Sequence, residues 1–176
     1  MCNFLSAVVL KNGDILMHPM IDSHSELVEY FKLPDTSQHI RHFVKVELTP
    51  TTDESWLDPS LWTFRLDEER KPSWWDDEAS AKAEADLRRR ASAMIINDDK
   101  TPLIVDGCWI VGTKGKIREV RSGRIVRMCG GTLTAMRGGT LTAMGGGTLT
   151  AMGPRAELGK QARAYYDSLQ AAKGAR

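Results

Sequence analysis

Apolar residues in the C-terminal half of the chain recur every eight positions. The third position of each eight-residue block is large and apolar, and the sixth is Val or Met in all but the first block. Glycine opens every block, at Gly107, Gly115, Gly123, Gly131, Gly139 and Gly147. Eight residues drift around a helix axis by about 80° per block, so these columns would not share a helical face. The period instead predicts short strands that turn at glycines.

We interpret residues 107–154 as a small β-solenoid of eight-residue repeats. Within Thr132-Leu133-Thr134 the leucine would face inward and the two threonines outward, because side chains alternate along a strand. One block is too short to close a coil, so two blocks should form a turn and six blocks roughly three coils. The alternative is a flexible Gly/Thr linker, which the regular apolar register argues against.

Residues 1–106 predict an α+β head domain of mainly antiparallel strands with two helices. Alternating or apolar runs around Asn12-Gly13 predict a hairpin with a tight primed turn. A capping pattern at Ser23 opens a short helix, and a second, Ala-rich helix is predicted from Asp77 to Ile96. The remaining strands are predicted at His42–Thr49, Trp62–Leu66 and Leu103–Val105.

Residues 155–176 predict a C-terminal capping helix. Pro154 suits the first turn of a helix, and apolar residues follow at three- and four-residue steps from Leu158. The ends of a solenoid expose strand edges that must be covered. We therefore expect this helix to cover one end of the solenoid and the head domain to cover the other.

Composition indicates a cytoplasmic protein. No stretch of the 176 residues approaches the length of an apolar membrane span, and the first ten residues lack the basic flank of a signal peptide. Cys2, Cys108 and Cys129 are odd in number and form no CxxC pair, which favours a reducing compartment over a disulfide framework.

The net charge of +1 hides a strong division. Residues 1–106 have 12 Lys/Arg and 20 Asp/Glu, whereas residues 107–176 have 12 and 3. Either the halves neutralise one another, or the basic half binds an anionic host component: an RNA or DNA backbone, a ribosomal surface or a sequestered nucleotide. The predicted binding residues form a stripe along the early blocks: Lys114, Lys116, Arg118, Arg121, Arg124, Arg127 and Arg137.

Cys2 is the one weak catalytic candidate. If Met1 were removed, the N-terminal thiol and α-amino group would supply a nucleophile and a base. The start Met1-Cys2-Asn3-Phe4 resembles the N-terminal-nucleophile hydrolases and class II glutamine amidotransferases, which implies an alternative activity as a hydrolase or amidotransferase. We predict no cofactor and no metal site, since His39-x-x-His42 has no second ligand pair at zinc spacing.

The Thr-Leu-Thr triplets offer a third alternative, a structural or oligomerisation module. Regularly spaced outward threonines resemble those of ice-binding solenoids. Only three blocks carry the pair, however, and two blocks per coil would divide the pairs between faces. Ordinary strand propensity explains them equally well.

Three segments together resemble a group of uncharacterised bacteriophage-encoded proteins with a similar head and short glycine-rich repeats. They are Met1–Asp14 (MCNFLSAVVLKNGD), Asp22–Glu26 (DSHSE) and Val105–Ile110 (VDGCWI). The resemblance implies a viral accessory protein made in the host cytoplasm. Our leading expectation is a non-enzymatic binding protein for host interaction, with nucleic acid as one possible ligand and a homo-oligomer as one possible state.

Overall fold

The computed structural model describes residues 5–34, 36–98, 103–105 and 107–174. The chain divides into two compact units, Met1–Ser92 and Ala93–Arg176. This division lies earlier than the predicted boundary after residue 106. The reason is that two short segments, Ile95–Ile96 and Leu103–Val105, pair with solenoid strands.

The N-terminal unit is a mixed α/β structure built on a four-stranded antiparallel sheet. Its strands have the spatial order β2-β1-β3-β4. Three short 3-10 helices lie in the connections, at His39–Arg41, Ser55–Leu57 and Pro59–Leu61. The main elements are β1 (Leu5–Leu10), β2 (Ile15–Leu16), α1 (His24–Tyr30), β3 (Phe43–Thr49), β4 (Thr63–Leu66) and α2 (Asp77–Ala93).

The first hairpin forms as predicted, but its turn differs. Only Gly13 of the Asn12-Gly13 pair has a positive φ, at 91°, whereas a primed two-residue turn of type I′ needs positive φ at both residues. The amide of Gly13 donates to Leu10 O at 2.8 Å, and Leu10 N donates to Asp14 O at 2.8 Å. The connection is therefore a three-residue loop that ends on a left-handed glycine.

Helix α1 packs against one face of this sheet. Leu27 and Val28 join Val8 and Phe43 in a buried cluster. Ser23 is the N-cap, and its hydroxyl accepts a hydrogen bond from Glu26 N. The amphipathic spacing and the capping pattern together explain why the helix begins at His24.

The second unit is a β-solenoid of about four turns between residues 95 and 158. The six predicted blocks account for about three of these turns, and the first two strands add one more before Gly107. All strand pairs in this unit are parallel. The strands are β5 (Ile95–Ile96), β6 (Leu103–Val105), β7 (Cys108–Val111), β8 (Lys116–Val120), β9 (Arg124–Met128), β10 (Thr132–Met144) and β11 (Thr148–Leu158).

Strand partners in the later coils lie sixteen residues apart, except after a register shift between Met136 and Gly138, where Gly138–Leu141 pair with residues seventeen positions further on. Thr132 pairs with Lys116 on one side and with Thr148 on the other, and Thr140 pairs with Arg124. The coil therefore has two faces. The first face consists of β6, β8 and the N-terminal halves of β10 and β11, and the second consists of β5, β7, β9 and the C-terminal halves.

The interior of the solenoid is a continuous apolar column. On the first face Ile117, Leu133 and Leu149 stack in register, and on the second face Ile125 stacks on Leu141. All of these side chains are buried in one cluster. Leucine, isoleucine, valine and methionine side chains thus form most of the core.

Two glycine corners show why the period carries glycine. Gly131 and Gly139 have φ of 73° and 77°, a region that a side chain disfavours. A Cβ added at Gly131 would lie 2.3 Å from Gly115 O, and one at Gly139 would lie 2.5 Å from Gly123 O. Both the dihedral angle and the close stacking of successive corners therefore require glycine.

A C-terminal helix follows the solenoid as predicted, but it begins later. Helix α3 runs from Lys160 to Gly174, and Pro154 lies inside β11 instead of opening the helix. Proline is tolerated there because, among the described residues, β10 is the only strand that pairs with β11. Ala162 is fully buried, and Tyr165 and Leu169 pack against the solenoid core.

No helix within the described ranges combines the length and the apolar character that crossing a bilayer requires.

Candidate functional site

The structure distributes the seven predicted binding residues over both faces and the corners of the solenoid. Lys116 and Arg118 lie on β8 and Arg124 and Arg127 on β9, which belong to opposite faces. Lys114 lies in the loop before β8, and Arg121 follows β8 directly, whereas Arg137 lies within β10 between its two halves. The seven side chains therefore do not form one continuous stripe.

Glu119 joins two arginines from successive coils. Arg121 Nε donates to Glu119 Oε1 at 2.9 Å, and Arg137 Nε donates to Glu119 Oε2 at 3.2 Å. The two arginine side chains are 65% and 71% exposed, while that of Glu119 is 19% exposed. The hydrogen bond from Arg121, and to a smaller extent the one from Arg137, lowers the pKa of Glu119. The carboxylate thus holds two exposed guanidinium groups beside each other.

Arg155 extends this arrangement into the last coil. Its backbone pairs with Gly138, the residue after Arg137, and its side chain is exposed. Lys116 and Arg118 are exposed on the adjoining first face. Successive strands of a sheet are about 4.8 Å apart, so these cations lie on a closely spaced, rigid support. We name this set the basic face: Lys116, Arg118, Arg121, Arg137 and Arg155.

Arg124 and Arg127 differ from the basic face in exposure. Both are only partly exposed, and the Nε atom of each is buried. Both also interact with other groups of the protein. Their guanidinium groups therefore interact with the protein itself more than those of Arg121 and Arg137 do.

The outward threonines divide between the two faces. Thr132 and Thr148 pair on the first face, whereas Thr140 pairs with Arg124 on the second. Thr134 and Thr150 are exposed beside the first pair. The first face therefore carries threonine pairs in only two coils, next to the basic residues of β8.

Cys2, the weak catalytic candidate, lies outside the described residues. In the His39-x-x-His42 motif, His39 contacts two other groups of the protein. The ring of His39 places Nδ1 2.9 Å from Thr36 O and Nε2 3.0 Å from both carboxylate oxygens of Glu68. His39 therefore joins its loop to the end of β4.

A second polar group, which the sequence pattern does not reveal, lies in the N-terminal unit. His24, Glu47 and Asp67 each place one nitrogen or oxygen atom within 4.8 Å of the others. They come from α1, from β3 and from the residue after β4, so no local motif connects them. His24 and Glu47 are buried, which is uncommon for ionisable side chains.

Asp67 also belongs to a cleft of about 730 Å³ in the N-terminal unit. The cleft contains both signs of charge, with Lys45, Arg65 and Arg70 beside the acidic groups of Asp67 and Glu68. Glu68 is already engaged: its carboxylate accepts from Lys45 N at 3.0 Å and contacts His39. The cleft is consequently a mixed-charge surface and not an anion site like the basic face.

Neither a protein-family model nor a curated protein nor a solved structure matches this chain significantly.

Proposed function

We propose that this chain is a binding protein whose β-solenoid holds the phosphate backbone of a nucleic acid on the basic face. Salt bridges from Lys and Arg to phosphates give affinity without reading base sequence. The observation that carries the proposal is the pair of exposed guanidinium groups of Arg121 and Arg137, held by one carboxylate on successive coils.

The charge of the basic face favours a polyanion. Two of its five cationic side chains, Arg121 and Arg137, contact the carboxylate of Glu119, and the neighbouring outward positions on the first face are threonine and alanine. Phosphates could approach such a surface closely, because small residues leave the guanidinium groups prominent. Aromatic residues do not interleave these cations in the sequence, so base stacking contributes little to the proposed binding.

Fluorescence anisotropy with a labelled 20-nucleotide RNA and the matching DNA duplex tests the proposal. If all five cations contact phosphates, affinity should fall on the order of a few hundred-fold between 50 and 200 mM salt. The triple variant Arg118→Ala, Arg121→Ala, Arg137→Ala should bind weakly and show a salt dependence shallower by about three contacts.

The matched control removes the same charge from the N-terminal unit. Lys11, Lys71 and Lys82 are exposed, and their triple alanine variant should bind as the wild type does. Equal losses in the two triple variants would show that only net charge matters. Absence of binding to both probes at 50 mM salt would refute the proposal.

Two finer expectations belong to the same proposal. One is that the eight-residue block is the unit by which the solenoid lengthens, since the last three blocks are nearly identical in sequence. The other is that the protein is a bacteriophage accessory protein acting in the host cytoplasm. Recovery of host RNA with the protein from a lysate, lost after nuclease treatment, would support the second expectation.

A further inference from the structure

Polar side chains line up across the face of the N-terminal sheet that α1 covers. Ser6 of β1 pairs with Glu47 of β3, and Glu47 pairs with Arg65 of β4. Arg65 Nη2 donates to Glu47 Oε2 at 2.6 Å. Apolar side chains would bury this face more cheaply, because an ionisable group loses its hydration when it is covered. Packing alone therefore does not explain this row of polar groups.

His24, the first residue of α1, faces this row with both ring nitrogens engaged. Nε2 lies 3.0 Å from Val46 O, and Nδ1 lies 3.0 Å from Asp67 Oδ2. A carbonyl oxygen can only accept, so Nε2 must carry a proton and donate. Nδ1 then faces a carboxylate oxygen, and the contact is favourable only when a cation, either a proton or a metal ion, lies between the two.

The bond to Val46 O is also the arrangement that metal-binding histidines use. A ligating histidine commonly donates its second N–H to a backbone carbonyl, which fixes the tautomer and the ring orientation. Here that bond would leave Nδ1 as the ligand atom, directed at Asp67. The backbone carbonyl comes from β3, so the sheet itself positions the imidazole.

Glu47 completes a set of three ligand atoms. Two ligands of a tetrahedral zinc ion at about 2.1 Å are roughly 3.4 Å apart. The ligand atoms of His24, Glu47 and Asp67 lie within 4.8 Å of one another, so closing around an ion requires shifts on the order of 1 Å. Asp67 is the member with most room to adjust, since its side chain is 44% exposed and lines the cleft.

We propose that His24 Nδ1, Glu47 and Asp67 bind one divalent transition metal ion of the zinc class. An imidazole nitrogen favours Zn²⁺, Co²⁺ or Ni²⁺ over Mg²⁺ or Ca²⁺, and carboxylates supply the remaining ligands. The ion would connect α1 to β3 and to the end of β4. A water molecule would supply the fourth ligand.

Cobalt titration of the chelator-treated full chain tests this site. We expect one Co²⁺ per chain, a visible absorption band typical of tetrahedral coordination, displacement by Zn²⁺, and no displacement by Mg²⁺. Asp67→Asn should weaken Co²⁺ binding by about tenfold or more, because it removes a ligand charge. Asp53→Asn, at an exposed acid elsewhere in the same unit, should leave the affinity unchanged.

A variant of Arg65 should change the metal affinity in the opposite direction. Its guanidinium competes with the metal for Glu47, and its side chain is 64% exposed, so Arg65→Gln should fold normally. We expect it to bind Co²⁺ about three- to tenfold more tightly, because a neighbouring positive charge is removed. A merely structural Glu47–Arg65 ion pair predicts no such gain.

Three results would overturn the proposal. They are the absence of a stoichiometric cobalt band, equal Co²⁺ affinity in wild type and Asp67→Asn, and an intense near-ultraviolet thiolate band that places the metal on cysteine. Circular dichroism of Asp67→Asn confirms that the variant is folded, so that weakened binding reports on the ligand. A rise in Tm on adding Zn²⁺ to wild type, absent in Asp67→Asn, is the independent readout.

Discussion

The two units use β-sheet in opposite ways. In the N-terminal unit, antiparallel strands bring unlike residues together, as where Ser6, Glu47 and Arg65 lie side by side. In the solenoid, parallel pairing at sixteen residues stacks like on like, with Leu133 on Leu149 and Met136 on Met152. The first arrangement can hold a buried polar group at one place, whereas the second repeats whatever it buries.

This difference determines where each unit can carry a function. A repeated interior must be apolar, because a polar residue repeated in every coil would bury several unsatisfied groups. The solenoid therefore keeps its charges outside, as on the basic face. The N-terminal unit has no such repetition, so a single histidine of α1, His24, and a single glutamate of β3, Glu47, can each be buried.

Removing a core side chain from the solenoid should have the largest effect. Leu133→Ala deletes a fully buried side chain between two stacked neighbours and should lower the free energy of unfolding by about 2–5 kcal/mol. Urea denaturation measures the loss. Amide hydrogen exchange should accelerate in the coils before it accelerates elsewhere in the chain. Leu158→Ala, at a half-buried position, should cost less, and an equal cost would contradict the stacked core.

A corner glycine should be nearly as sensitive. Gly139→Ala places a Cβ 2.5 Å from Gly123 O at a φ of 77°, and the expected cost is about 1–3 kcal/mol. Gly145→Ala is the matched control, because the nearest atom to its Cβ would be the flexible Arg127 Nη2 at 3.3 Å. Thermal melts of the two variants should separate clearly, and coincident melts would argue against the corner geometry.

The N-terminal unit depends on specific polar contacts where the solenoid depends on stacking. Arg88 of α2 donates to Trp62 O at 2.8 Å, to Glu84 and to Pro59 O. Arg88→Ala should therefore cost about 2 kcal/mol in the free energy of unfolding. Arg89→Ala removes a more exposed arginine that pairs with Asp86 and should cost only a few tenths. Similar urea midpoints for both variants would remove the special role of Arg88.

The smallest effect concerns pH and the basic face. Because arginine contacts lower the pKa of Glu119, its ionised form is favoured by folding. Its contribution to stability is present above the unfolded pKa of about 4.3 and is lost as the pH falls through the lower folded value. Two-dimensional NMR should show the Glu119 carboxyl titrating below that of a free glutamate. Arg121→Ala should raise this pKa toward the ordinary value, and an unchanged titration would contradict the bridging contacts.

Much of the fold follows from pattern alone. The apolar columns at Leu133 and Leu141 predict the solenoid, and the spacing after Leu158 predicts the final helix. Short strands cannot be predicted in this way. β5 and β6 span too few residues to show a period, and in the sequence Ile95 looks like the end of a helix. Pro154 is compatible both with a helix start and with an edge strand, and local sequence does not distinguish the two.

The candidate sites were harder to predict than the fold. Two blocks per coil place Arg118 and Arg127 on opposite faces, as the strand pairing shows, so the seven predicted residues cannot form one stripe. For the same reason the threonine pairs are divided. The group of His24, Glu47 and Asp67 has no sequence signature at all, since its members are separated by other elements.

What the sequence determined by itself is local: which residues extend, where glycine permits a corner, and which side chains must leave water. These preferences arise from backbone geometry and hydration, which each short segment expresses independently of the rest. The tertiary structure decided which distant residues meet, including Glu119 with Arg137 and His24 with Asp67. Such meetings depend on the register and the packing of whole elements, and no single segment contains that information.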